Sequence, residues 1–306
     1  MNIELKTRKS TRSVFNRVGL ATLVMGLVVN IVQMILIISF KIYNPSFVDS
    51  HWFNYFLVAV SFYLIGFPVC CLIVRGLPNG EKREEKKLTA GEFFKFFCIS
   101  YFFVIVLNTL TIILGELLIK IKGEAVINPL DTVLSNSSIW ATLIFAGILS
   151  PIIEEVLFRG VLLNKLKIYG DKIAIVTTAI LFGLFHENFS QFFYAVGLGI
   201  IFAYVTLKTG TIKYSILLHI IINIMGGVIN TLILKNPITT IIYGAIIWGI
   251  VIAGLVFFIK NYKKRVLLPG EVTIEKGKVF STTCINLGMI LNLIFSIACM
   301  VYLIVV

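Results

Sequence analysis

The chain has 306 residues, of which 58% are hydrophobic and only 14% charged, and its mean hydropathy is +0.98. A soluble globular chain is about half apolar and about a quarter charged, so this excess cannot be buried in one soluble core. A disordered chain, a collagen-like chain and a disulfide-rich secreted domain are excluded as well. The expected fold class is an all-α polytopic membrane protein, with eight to ten helices at about 20 residues per span.

Nine apolar runs are expected to span, at 18–40, 52–74, 96–119, 138–163, 173–189, 191–207, 213–234, 238–259 and 281–306. The first follows a basic stretch, and its apolar run is too long for a signal-peptide core; it reads as an uncleaved helix. His51 beside Trp52 reads as an interfacial anchor. The segment 76–95 is the one long, highly charged stretch, with Glu81, Lys82, Arg83, Glu84, Glu85, Lys86 and Lys87 of mixed sign. It reads as a solvated loop with a helix entering the next span, or as a surface for lipid or substrate. Glu116, toward the far end of the third run, snorkels or pairs. The fifth and sixth runs are short and divided only by Glu187, Asn188, Ser190 and Gln191. Glu187 and Asn188 are expected to cap that turn, with substrate contact as the other reading. Tyr194 and Tyr204 could line a cavity. The organisation expected is 1–137 as N-terminal membrane helices, 138–234 as the chemistry-bearing core and 235–306 as C-terminal membrane helices.

The net charge is +12. In a soluble protein that would suggest nucleic acid. Here the basic residues follow the loops. With the N-terminus in the cytoplasm, 22 of the 27 Lys and Arg lie on the cytoplasmic side. The outer side holds Lys41, Lys120, Lys122 and Lys235, and Arg159 lies within a run. This asymmetry is the positive-inside pattern. It predicts an N-terminus inside, a C-terminus outside, anionic lipid as a neighbour and no nucleic-acid partner. The five cysteines lie in or beside apolar runs without a CxxC pair and read as small buried apolar residues.

Ionisable residues inside apolar helices need a reason, because each costs about 2.5–3.5 kcal/mol on insertion scales. Three runs carry them. In SPIIEEVLFRGVLLNKL (150–166), Glu155 and Arg159 stand at i,i+4 and can pair. Glu154 lies about 100° away around the helix and shares that partner poorly. One carboxylate thus reads as structural and the other as available for chemistry. In ILFGLFHENFSQ (180–191), Phe182 and His186 are at i,i+4. In YSILLHIIINIMGG (214–227), His219 and Asn223 share a face and two glycines follow. Each has a packing explanation: a satisfied core histidine, or interhelical hydrogen bonds with close helix approach. Counted at about 1.5 Å per residue, Glu154, His186 and His219 lie roughly 13, 20 and 9 Å from their cytoplasmic ends. Within boundary error they can meet at one level.

The chemistry open to such a group is hydrolysis. A carboxylate in a low-dielectric site can act as general base toward water. One histidine can hold that water, and a second histidine with an amide can stabilise an oxyanion. Alternatively Glu154, His186 and His219 bind Zn²⁺ with a water in the fourth position. No HExxH is present.

These motifs resemble those of the CPBP intramembrane proteases, also called the Abi or CAAX-protease family. EEVLFR (154–159) resembles its EExxxR, Phe182 and His186 its FxxxH, and His219 and Asn223 its HxxxN/D, in the family's order and over roughly 150–225. The resemblance implies a helical membrane-embedded endopeptidase similar to the Ras-converting CAAX protease, and bacterial members tied to bacteriocin maturation, immunity and peptide signalling. It implies Glu154 as the base, Glu155 and Arg159 as a supporting pair, His186 as a partner at the water, and His219 and Asn223 as oxyanion stabilisers. His219 becomes a ligand if a metal is used. Both a metalloendopeptidase and a metal-free glutamate mechanism follow from the family. The substrate class is a membrane-associated peptide or lipidated protein: CAAX-type, leader-peptide or bacteriocin-related. Composition fits a bacterial cytoplasmic membrane. Two other readings compete. One is a non-catalytic immunity or scaffold protein of the same fold. The other is a small transporter using buried Glu and His as a proton relay. The sequence leaves oligomeric state open.

Overall fold

The computed structural model describes residues 2–50, 52–123, 138–229, 232 and 236–305. Among these every regular element is helical. Nine principal helices fall on the nine expected runs. They are α1 (Asn2–Tyr43), α2 (Phe53–Val74), α3 (Ala90–Lys122), α4 (Ile139–Tyr169), α5 (Asp171–Phe185), α6 (Phe189–Thr209), α7 (Lys213–Gly227), α8 (Pro237–Tyr262) and α9 (Leu287–Val305). All but α5 and α7 are long and apolar enough to cross a bilayer. The protein is an integral membrane protein. His51 and much of 228–235 lie outside the described residues.

Local sequence sets the helix ends. Thr89 and Glu92 form a reciprocal capping box that starts α3, and Gly123, at φ 86°, ends it. The Asn188 side chain accepts from Gln191 N at 2.9 Å and starts α6. Gly210, at φ 68°, closes it. Asn236 caps α8 just before Pro237. Prolines inside α2 and α4 deprive the preceding turn of an N–H and push its carbonyl aside. In both helices the backbone answers with a wider, π-type turn just upstream: Ala59–Gly66 before Pro68, and Thr142–Leu149 before Pro151. A second wide stretch, Val156–Leu162, carries Arg159. Such widened turns often accompany functional sites.

Small residues set the closest helix contacts. A side chain on Gly288 of α9 would come within 2.0 Å of the Asn16 carbonyl on α1. One on Gly254 of α8 would come within 2.1 Å of the Cys98 carbonyl on α3. Two buried clusters result. One joins α1, α2, α4, α5 and α6 through Phe15, Phe158, Leu162, Phe182 and Ala203. The other joins α3, α6 and α7 through Tyr101, Phe202 and Leu218. α6 belongs to both.

The charged 76–95 segment is pinned along much of its length. Gly80 N donates to Asn164 O at 2.9 Å, Lys86 N to Thr209 O at 2.8 Å, and Leu88 N to Tyr214 Oη at 3.0 Å. Arg83 forms a bidentate pair with the buried Asp171, which also accepts from Leu268 N at 2.9 Å. The segment is the expected exposed loop leading into α3, with Glu81, Lys82, Glu84, Glu85, Lys86 and Lys87 exposed, and its backbone is also tied to α4, α6 and α7. The cysteines divide too. All five are free, Cys70 and Cys98 are buried as expected, and Cys284 is exposed.

Candidate active site

Where the two clusters meet, α4, α5, α6 and α7 converge around Arg159. Glu155 and Arg159 are fully buried side chains whose Oε1 and Nη1 lie 3.0 Å apart. The guanidinium is 4.4 Å from the Phe182 ring centroid on α5 and 5.5 Å from that of Phe202 on α6. Its Nη2 donates to Gly199 O at 3.4 Å. A buried cation is tolerated here because a carboxylate, a carbonyl and two ring faces surround it. Gly199 makes that carbonyl reachable: a Cβ there would meet the Ala179 Cα at 2.9 Å, so α5 and α6 approach closely.

His219 is the hub. Its Nδ1 lies 3.2 Å from Glu155 Oε1, so Nδ1 carries hydrogen and donates to the carboxylate. Its Nε2 faces Glu154 Oε2 at 3.9 Å. The ring is held at 5.2 Å from Phe202 and 5.8 Å from Phe182. The two glutamates have separate settings, as their angular offset requires. Glu155 is tied to Arg159 and His219. Glu154 is buried at 9% exposure, and its Oε2 has no hydrogen-bond partner among the described residues. A buried polar atom without a partner calls for an explanation.

His186 stands at the end of α5 and not within it as expected. Its Nδ1 donates to Phe182 O at 2.8 Å, since a carbonyl can only accept. In the neutral ring Nε2 then bears the lone pair. Its ring meets the edge of Phe182 at 5.0 Å, on the helix that also backs His219. Asn223 does not join the carboxylates. Its Nδ2 donates to Ala146 O at 3.0 Å and ties α7 to the widened turn of α4. The six expected residues therefore fall into a tight group (Glu154, Glu155, Arg159, His219) and two flanking groups (His186 and Asn223).

Among the neighbours, Tyr63 and Asn30 had no signal in the sequence, whereas Tyr194 was expected to line a cavity. Tyr63 on α2 bonds Ser150 at 2.5 Å, one turn before Glu154, and it and Tyr194 lie within electrostatic reach of that carboxylate. Glu187 does not cap the turn. It sits at φ 52°, and its Oε2 accepts from Asn30 Nδ2 of α1 at 2.8 Å. Asn188 does the capping. Tyr204 packs on Phe96, away from the carboxylates. Glu116 is exposed on α3.

For a metal, the donors are the test. Among the described residues no group of three His, Cys, Asp or Glu side chains is gathered as a metal site. Glu154 and the His219 Nε2 face each other at 3.9 Å, and both His219 and His186 donate from Nδ1, to Glu155 and to the Phe182 carbonyl, which leaves each Nε2 its lone pair. The expected set Glu154, His186 and His219 has donor atoms suited to Zn²⁺ but is not gathered around one point among the described residues, and no step below runs through an ion.

Residues 136–225, which span this site, match the family described as type II CAAX prenyl endopeptidase Rce1-like. Over that stretch the chain is similar to CAAX proteases. That family is a protease family, and the likeness supports reading the site as that of a peptidase. Neither the curated proteins nor the solved structures gave a match to this chain.

Proposed function

We propose that this protein is an intramembrane endopeptidase in which Glu154 activates water. The observation that carries the reading is the division of labour between adjacent carboxylates. Glu155 is paired with Arg159 and bonds His219, while Glu154 is buried, makes no hydrogen bond among the described residues and faces a histidine edge at 3.9 Å. A carboxylate with no hydrogen bond of its own in a water-poor pocket has its lone pairs free to receive a proton from a water held beside it.

In this mechanism Glu154 takes a proton from water and the resulting hydroxide attacks the scissile carbonyl. His186 Nε2 holds the water by accepting its second hydrogen. His219, held in place by its Nδ1–H bond to Glu155, lines the pocket where the oxyanion develops. The second Nδ2 hydrogen of Asn223 adds a donor. Glu154 then passes its proton to the departing amine, the C–N bond breaks, and a carboxylic acid and an amine are released. Zn²⁺ remains the alternative activator if side chains regroup around it. Substrates in this reading are membrane-associated: a CAAX-type lipidated protein, a leader peptide or a bacteriocin-related peptide. The charge asymmetry supports a cytoplasmic N-terminus, and the composition fits a bacterial cytoplasmic membrane.

The test uses purified full-length protein in detergent with a fluorogenic prenylated peptide and a leader-peptide library. Glu154→Ala, His186→Ala and His219→Ala are run beside it, with and without chelator. Cleavage by the wild type, lost in all three variants, supports the reading, and chelator sensitivity would choose the metal branch. If all three variants still complement a deletion strain, the immunity or scaffold function leads.

A further inference from the structure

A second recess lies apart from the catalytic group. It is a cleft of about 1680 Å³ with α6 as its floor, α5 as one wall and α3 with α8 as the other. α6 packs on α3 and on α5, and α3 packs on α8, but among the described residues α5 has no extended contact with α3 or α8. The groove is left open between them. None of Glu154, His186 and His219 lines it.

Its two halves differ in chemistry. Along the membrane part the lining is apolar: Leu107, Ile180, Phe193, Val196 and Ile200. Gly197 deepens the floor, since a side chain there would meet the tip of Leu107 at 2.4 Å. At the other end the starts of α3 and α5 meet the ends of α6 and α8. Ten Lys and Arg side chains line the cleft against four Glu. Some of that charge is spent locally: Arg83 on Asp171, and Lys208 on Glu92 at 2.8 Å. Lys82, Lys86, Lys95, Lys172 and Lys264 have no ion-pair partner among the described residues. Like charges gathered around one opening repel one another unless an anion lies between them.

We propose that this cleft is a binding site for an anionic phospholipid. The phosphate headgroup sits among Lys95, Lys172 and Lys264, and an acyl chain lies along α6 between α5 and α3. Charge complementarity selects the occupant: an apolar slot alone accepts any lipid tail, whereas a basic mouth at the interface selects an anionic head. The cleft is independent of the proteolytic reading.

The test is a titration of the full-length protein in neutral detergent with a phosphatidylglycerol bearing a fluorescent tail, read by anisotropy. Phosphatidylglycerol, phosphatidylcholine of the same chains, and glycerol phosphate compete. Phosphatidylglycerol should compete at least tenfold better than either of the others. Lys172→Gln with Lys264→Gln should weaken binding roughly thirtyfold, at about 1 kcal/mol per basic residue. Ile180→Trp, which fills the apolar wall, should weaken it too. Lys276→Gln with Lys278→Gln, away from the cleft, should leave it unchanged. Equal competition by phosphatidylcholine, or equal loss in both lysine pairs, would overturn the proposal, leaving annular lipid or diffuse charge. Equal competition by glycerol phosphate would overturn it in favour of a headgroup-only anion site.

Discussion

Removing Arg159 tests how the site is held. Replacing it with Met keeps the length and deletes the charge. Glu155, with no side-chain exposure, would keep only His219 at 3.2 Å. The guanidinium's contact with the Phe182 face, worth up to about 2 kcal/mol when desolvated, is lost as well. Breaking a buried pair from one side typically costs about 3–5 kcal/mol, because the surviving charge is stranded. Glu155→Gln with Arg159→Met strands nothing and should cost only about 1–2 kcal/mol, since a buried pair adds little over apolar packing. Glu155→Gln alone strands Arg159 at a similar cost, so the double-mutant cycle should return a coupling of at least about 4 kcal/mol, favouring the pair. The assay is reversible denaturant unfolding of the purified protein in detergent. A cost below about 1 kcal/mol for Arg159→Met, with additive effects in the cycle, would refute the claim that this pair is buried and mutually dependent.

Further outcomes follow from single contacts. Asn30→Leu should destabilise by about 1–3 kcal/mol, because it removes the donor to the Glu187 carboxylate, whereas Glu187→Gln should cost less; thermal unfolding compares them. Gly288→Val should separate α1 from α9, since even a Cβ meets the Asn16 carbonyl at 2.0 Å; the cost expected is at least about 1–3 kcal/mol, read by the same unfolding assay. Asp171→Asn should loosen the knot of Arg83 and Leu268, and limited proteolysis should then cut faster near 264–275 while α9 stays protected.

The helices were legible because hydropathy sets span length, and a run of about 20 apolar residues has few other fates. Each of the nine runs holds a helix among the described residues, and the boundary that slipped is the one between α5 and α6. His186 terminates α5 because Asn188 caps the next helix, a signal present in the sequence but diluted among four polar residues. The i,i+4 spacing of Glu155 and Arg159 gave their pairing, and the angular offset of Glu154 gave its separation from that pair. What spacing could not give was the partner across helices. The same i,i+4 logic that grouped His219 with Asn223 is silent on where each points. His219 reaches α4 side chains, while Asn223 reaches the Ala146 backbone that the widened turn exposes. Tyr63, Asn30 and the cleft were invisible for the same reason: they depend on which helices pack together, and no local pattern carries that.

The central claim is that Glu154, and not Glu155, is the base. Its most direct measurement is the single-turnover cleavage rate of a peptide that the wild type cuts, with products identified by mass, for Glu154→Gln and Glu155→Gln. Thermal unfolding is recorded for each. Glu154→Gln should unfold at or above the wild-type temperature, since it replaces an unpartnered buried carboxylate by a neutral amide, and should lose at least a hundredfold in rate, the scale of a missing general base. Glu155→Gln should unfold at a lower temperature, because it leaves Arg159 unpaired. A Glu154→Gln variant that keeps the wild-type rate contradicts the account.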